Sequence, residues 1–475
     1  MKQFQRTAIA IGAAQCVLML GGAMCAQHAL ADDAVKKDAK AETTTVVVVG
    51  QRAALESATA RKKNADEIVD SIVADDIGKL PDKSVTEVLQ RVVGVTIDRT
   101  LNRVDPQQGV GDGVNHYAAE GTGVSVRGLT YVRSELNGRD AFSANGGRSL
   151  SFEDVPPELM SGLDVYKNPS AEQIEGGISG LVNLRTALPF DFKGAKGALS
   201  VEERRSQLRG KTSPGVSGLL SNRWNTAFGQ FGALIDLARS RINTRSDGMQ
   251  ISPYIPRNNA VAGDTSGATR WISNGSYWTS NNFERERDGL YGALQWKKDK
   301  LSSYLTFFRS KYDMNTTEYG MNTGTANAFT SMLDPGATFA DNGALLTGTL
   351  RSPNETGISL SSSSRAAGRK SDTRDIAWHT DWRATDQWSV SSDLQHTRAT
   401  TTGYDNLVGM QGTLPKMTWD LTKSPAELHF DDADRALLQD PKTYYWGTTQ
   451  EHHDEAVGTL NAARLDAKFT FDSRC

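Results

Sequence analysis

Cysteine is nearly absent, with three residues in 475: Cys16, Cys25 and Cys475. The first two fall inside an apolar leader and the third is the last residue, so the stretch between holds no pair for a disulfide. In an oxidising compartment its stability must come from packing and backbone pairing. Long apolar runs are missing too. A membrane-spanning helix needs ~20 mostly apolar residues, and nothing past residue 31 qualifies; hydrophobic residues make up 38% of the chain and mean hydropathy is −0.46. A helical membrane protein is excluded. A membrane β-barrel is not, because its strands alternate lipid-facing with lumen-facing residues and average to a modest hydropathy. Composition leaves a soluble β protein equally open. Charge of one sign is also lacking, with a net −3 and a pI of about 6.2, which gives no sign of the basic surface that DNA or RNA binding requires.

What is present begins with an export signal at 1–31. Lys2 and Arg6 give a positive start, Ile9 to Leu20 an apolar centre, and Ala29-Leu30-Ala31 an A-x-A cleavage site before Asp32. Residues 32–63 form a flexible segment, charged and without apolar periodicity over 32–42. Within it Thr43 to Val49 is a short β-prone run ending at Gly50. A strand on a flexible tether suits pairing with the edge of another protein's sheet. The alternative is the first strand of the next domain, and both hold if the segment has two states.

Residues 64–190 read as one α/β unit. Ser84 and Glu87 make an S-x-x-E capping box, Val85, Val88, Leu89, Val92 and Val93 share a helical face, and Gly94 is the expected stop. Val95–Ile97, Val124–Arg127, Gly162–Tyr166 and Leu181–Leu184 are strand candidates between Gly-rich loops. Gly109, Gly111 and Gly113 lack the G-x-G-x-x-G spacing and a strand-to-helix context, which excludes a nucleotide loop. No cofactor is implied.

From 191 to 475 the texture changes to period-two alternation. Phe231, Ala233, Ile235 and Leu237 alternate with Gly232, Asp236 and Ala238; Ile376, Trp378 and Trp382 with Ala377, His379 and Asp381; Leu465 and Phe469 with Arg464, Asp466 and Lys468. In a soluble sandwich the polar face meets water outside; in a membrane barrel the apolar face points outward to lipid. The runs 230–242, 374–384 and 457–471 reach the ~9–11 residues of a tilted transmembrane strand. Asp299-Lys300 and Asp386-Gln387 mark tight turns, while 243–288 and 311–373 read as long polar loops. Short turns on one side and long loops on the other fit an outer-membrane barrel.

These motifs, in order, resemble the TonB-dependent receptors, within the long-N-terminus subgroup seen in Xanthomonas and Caulobacter. Thr45, Val46, Val47, Val48 and Val49 are similar to the TonB box. Asp75 to Asp82 and Val88 to Val95 resemble the start of the plug, Val124-Ser125-Val126-Arg127-Gly128 its short strand ending in Arg-Gly, and Val165 to Ser170 with Glu175 to Leu184 its closing region. The resemblance implies an α/β plug domain followed by an antiparallel transmembrane β-barrel. It implies outer-membrane location, TonB of the inner-membrane complex and outer-membrane lipid as partners, and active uptake of a large or scarce extracellular ligand. A barrel of 22 strands at ~10 residues each needs more chain than follows residue 190, where roughly nine candidate strands are visible. The expectation is therefore a C-terminally truncated receptor with an incomplete barrel.

The ligand expected from the subgroup is a complex carbohydrate; the alternatives are a siderophore or iron chelate, or a nonfunctional remnant of such a receptor. Trp271, Tyr277 and Trp278 fall in one long polar loop, where aromatic faces with polar neighbours suit sugars, although an interfacial aromatic girdle would look the same. Asn115, His116 and Tyr117 lie in a plug loop that is a second ligand-binding candidate or an ordinary loop. For an enzyme, Glu451-His452-His453-Asp454-Glu455 is the dense cluster of metal-type ligands, but a strand would send its adjacent histidines to opposite faces. There is no G-x-S-x-G elbow, so neither a catalytic nor a metal residue is assigned.

Overall fold

The computed structural model describes residues 58–471 except 74–83, 100–119, 122, 145–149, 169, 172, 325–331 and 352–356. The leader, Thr45 to Val49, Asn115, His116 and Tyr117 lie outside the described residues.

In the first domain Ser84 caps the helix Val85–Leu89 by accepting from the Glu87 N–H at 3.2 Å. The Glu87 carboxylate lies 3.6 Å from Arg99. Val85, Val88, Leu89 and Val92 are buried, but Val93 is 80% exposed. The helix stops a turn earlier than the five-residue apolar face suggested, and Gly94 follows at φ +79°, where a Cβ would be strained. The strands are β1 (Val69–Val73), β2 (Val95–Asp98), β3 (Gly123–Val126), β4 (Val132–Leu136), β5 (Arg139–Asp140), β6 (Gly162–Tyr166) and β7 (Gly180–Arg185). β2 pairs with β3, and a five-stranded sheet runs β1-β6-β7-β4-β5, with β4 and β7 parallel. Leu163, Val165, Val182 and Leu184 fill its core; burying each such side chain contributes roughly 1.5–3 kcal/mol.

From Lys196 the strands lengthen: β8 (Lys196–Arg205), β9 (Thr212–Thr226) and β10 (Gly229–Ile251). The short pair β11 (Tyr254–Asn258) and β12 (Thr269–Ser273) leads into β13 (Gly275–Lys298) and β14 (Leu301–Gly324). Short strands β15 (Met332–Leu333), β16 (Thr338–Phe339) and β17 (Leu345–Arg351) precede β18 (Ile358–Trp382) and β19 (Trp388–Leu414). β20 (Lys416–Asp420) and β21 (Glu427–His429) precede β22 (Tyr444–Phe469). The long strands form one antiparallel sheet, β22-β19-β18-β14-β13-β10-β9-β8, open at β8 and β22 among the described residues. It has eight strands where the alternation suggested nine or so. The expected loops 243–288 and 311–373 are corrected: β10, β13, β14 and β18 each run 23 to 25 residues and absorb roughly half of those stretches. Their distal halves are polar on both faces, so composition read as loop although the ladder continues.

Register decides which face points where. Arg285 on β13 lies opposite Ile242 and Met314, and residues two apart share its face, which meets the first domain. The other face carries Leu199, Leu220, Leu237, Leu294, Leu305, Ile376, Trp378, Leu394 and Leu465, each 44% or more exposed. Trp224, Phe231 and Trp296 stand in one row at the short-turn end of that face, and Trp388 opposite Phe469 extends it. An apolar exterior with an aromatic belt and a polar interior is the arrangement of a membrane barrel wall, and the soluble-sandwich alternative is excluded.

Candidate functional site

The contact between the first domain and the sheet is the most densely charged buried region. It has three layers. In the first, Glu120 stands between Arg285 and Arg287, ion-pairing with both, at 3.2 Å to Arg287. The two arginines sit two residues apart on β13 and so share a face; both side chains are 0% exposed. The Arg287 guanidinium also donates to the Glu153 carbonyl.

In the second layer Arg369 of β18 reaches Asp154 at 2.8 Å and Glu153 at 3.3 Å. Ser371 donates to the Asp154 carboxylate and Ser310 to its carbonyl, each at 2.6 Å. The Tyr312 ring lies 4.7 Å from the Arg369 guanidinium and 5.8 Å from that of Arg287, a cation–π contact to each. Burial pushes the Glu153 carboxyl up to about 7, with Arg369 pulling it down and Asp154 adding to the rise.

The third layer lies toward the short turns. Arg139 on β5 donates to Asp393 at 3.0 Å, and His379, stacked on Tyr304 at 4.8 Å, meets the same carboxylate at 2.9 Å. Gln395 donates both to the Asp140 carbonyl and to Asp375. Between the layers backbones approach closely: a Cβ on Gly289 would lie 2.7 Å from Leu159 and from Pro156. Removing one partner of such a buried pair costs about 3–5 kcal/mol, because the other charge stays desolvated. The interface therefore holds one orientation firmly and resists partial displacement.

The aromatic candidates do not converge. Trp271 is on β12, exposed, its N–H bonded to the Gly343 carbonyl. Tyr277 and Trp278 are neighbours on β13 and so point to opposite faces; Tyr277 shares the face of Arg285 and lies 3.4 Å from Glu318, while Trp278 shares the face of Leu294. Their shared loop is thus corrected to three separate settings, because the strand reaches back to Gly275. Trp278 is also far along the strand from the aromatic belt. In the 451–455 run His453 pairs with Glu451 at 2.9 Å while His452 lies 3.9 Å from Asp454, the alternation expected. A different metal-type trio, Asp420, Glu427 and His429, escapes a reading by sequence spacing because two strands assemble it; its ligand atoms lie within 4.8 Å of one another.

Residues 61–181 match the family model of the TonB-dependent receptor plug domain. The chain carries the plug of a TonB-dependent receptor. That plug is the first domain, and the long-stranded sheet packs on it. No curated protein matches the chain. Among solved structures it is similar to the ferric citrate transporter FecA in its unliganded form, at 12% identity over 87% of this chain and 80% of that one, with a TM-score of 0.28. The ferric enterobactin receptor PfeA of Pseudomonas aeruginosa gives 13%, 75%, 58% and 0.35 for the same measures. The siderophore receptor PirA of the same organism gives 13%, 86%, 93% and 0.26. The chain thus spans little more than half the length of the enterobactin receptor.

Proposed function

We propose that this receptor takes up a large, neutral, hydroxyl-rich ligand, a complex carbohydrate, in a process driven by TonB through Thr45 to Val49. The observation that carries the ligand class is the wall above the buried layers, on the face shared with Arg285. There Ser361 and Ser363 present half-buried hydroxyls and Tyr277 a phenol, while Thr279, Asn281 and Thr316 on the same face are buried beneath them. The charges on that stretch are Glu318 and the pair Arg365–Asp405 at 2.7 Å. An anionic iron chelate would call for unpaired cations, whereas hydroxyls, amides and aromatic faces suit a polyol. Trp271 supplies a further exposed aromatic face on the long-loop side.

Titration of the purified chain with neutral oligosaccharides and with a ferric catecholate tests this. Oligosaccharide binding that weakens about tenfold in Tyr277→Ala or Trp271→Ala is expected, a loss of about 1.4 kcal/mol. Binding of the ferric catecholate with no response to any oligosaccharide would overturn it.

A further inference from the structure

The connection between β19 and β22 folds β20 and β21 into a hairpin that joins β17 in a small sheet on the long-loop side. Its two faces differ. Met417 and Trp419 are buried, and with Leu428, which lies opposite Trp419, they pack into a hydrophobic cluster with Leu333, Leu345 and Leu350. Alternation then sends Asp420, Glu427 and His429 to the outward face. Asp420 lies directly opposite Glu427, and His429, two residues on, shares their side. Carboxylates in directly opposed cross-strand positions repel. Where Glu153 and Asp154 crowd together, Arg369 bridges them. On this hairpin no lysine or arginine among the described residues ion-pairs with either carboxylate. Glu427 meets His429 at 3.5 Å, Asp420 accepts from the Thr422 hydroxyl, and Lys423 in the turn acts on Asp420 through space.

The three donor atoms, one imidazole nitrogen and two carboxylate oxygens, lie within 4.8 Å of one another. A tetrahedral ion with bonds of about 2.1 Å places its ligands roughly 3.4 Å apart, a closing that the exposed side chains of Glu427 and His429 reach by changes of rotamer. We infer that Asp420, Glu427 and His429 bind one divalent transition-metal ion of the zinc class, which clamps β21 to β20. The donor set narrows the ion. Imidazole with carboxylate suits zinc and its neighbours, whereas calcium calls for about six to eight oxygen ligands. Three protein ligands leave the fourth position of the tetrahedron to solvent. Because Met417, Trp419 and Leu428 already anchor the underside of the hairpin, the ion orders its outward face and the 421–426 turn and is not needed for the fold. The inference does not depend on the ligand proposed for the receptor.

Calorimetric titration of the full chain in detergent with zinc chloride tests it, with cobalt(II) as a spectroscopic probe. One saturable zinc per chain is expected, weakened at least tenfold in H429Q and in D420N and unchanged in H453Q, which alters the separate 451–455 run. Bound cobalt should show the intense visible absorption of a tetrahedral site, and calcium should not compete. Zinc should also slow trypsin cleavage after Lys423 in the wild type but not in H429Q, a change that binding elsewhere on the chain would not produce. Unchanged circular dichroism checks that each variant is folded, and E427Q serves if D420N fails that check. No saturable zinc binding, full affinity in both H429Q and D420N, loss of binding in H453Q, or equal displacement by calcium would overturn the assignment.

Discussion

Glu153 sits between a cation that favours its charge and a burial that opposes it, and burial dominates, holding its carboxyl at about 7 against an ordinary 4.5. The docked plug therefore binds more protons than the unfolded chain between those two values. Stability from this group is fully present below pH 4.5 and is lost as pH rises through 7, by at most about 3 kcal/mol. Urea unfolding of the whole chain at pH 5 and pH 8 should show wild type losing stability toward pH 8 and Glu153→Gln losing correspondingly less; equal pH slopes would contradict this. Glu120 is different in kind. Glu120→Gln strands Arg285 and Arg287 without their shared carboxylate, a change expected to cost about 3–5 kcal/mol, whereas the exposed Arg239→Gln should cost under ~1 kcal/mol. Thermal unfolding of the two variants checks the ratio.

At the scale of elements, Gly289 lets β13 run close under the Pro157–Leu159 turn of the plug. Gly289→Val should push the two apart and raise protease cleavage of the plug while leaving the β content of the wall unchanged by circular dichroism; an unaltered cleavage pattern would argue against tight docking there. The tether makes the opposite demand. If Val46 to Val49 pair through their backbone with TonB, Val47→Pro should abolish energy-dependent uptake and Val47→Ala leave it near normal; equal uptake by both variants would refute strand pairing. Much of the plug was legible in sequence: the Ser84 cap, the Gly94 stop and the strands after Gly94, Gly123, Gly162 and Gly180 each carry a local signal. β1 and β4 escaped that reading. Asp70 interrupts one and Arg133 and Glu135 the other, and these charges find partners, such as Lys62 for Asp70 and Asp140 for Arg133, only once the chain is folded.

For the whole molecule, period-two alternation told that one face is apolar but left open whether that face looks inward or outward. Pairing register with the plug on the polar side settles it, and no local segment contains that information. The same holds for the buried layers: Glu120, Arg285 and Arg369 are far apart in sequence, and nothing in their surroundings announces that they meet. Strand length was underestimated because alternation fades where both faces are polar. The central claim is that Leu237, Leu294 and Leu305 face lipid while Ser240 and Ser310 face the plug. Single nitroxide labels at each of these positions, in a Cys16→Ser/Cys25→Ser/Cys475→Ser background reconstituted in bilayers, report collision with oxygen or with a water-soluble nickel chelate. High oxygen and low nickel accessibility at the three leucine positions, with low accessibility to both at the serines, is the predicted result. Nickel accessibility at the leucine positions, or oxygen accessibility at the serines, would contradict the account.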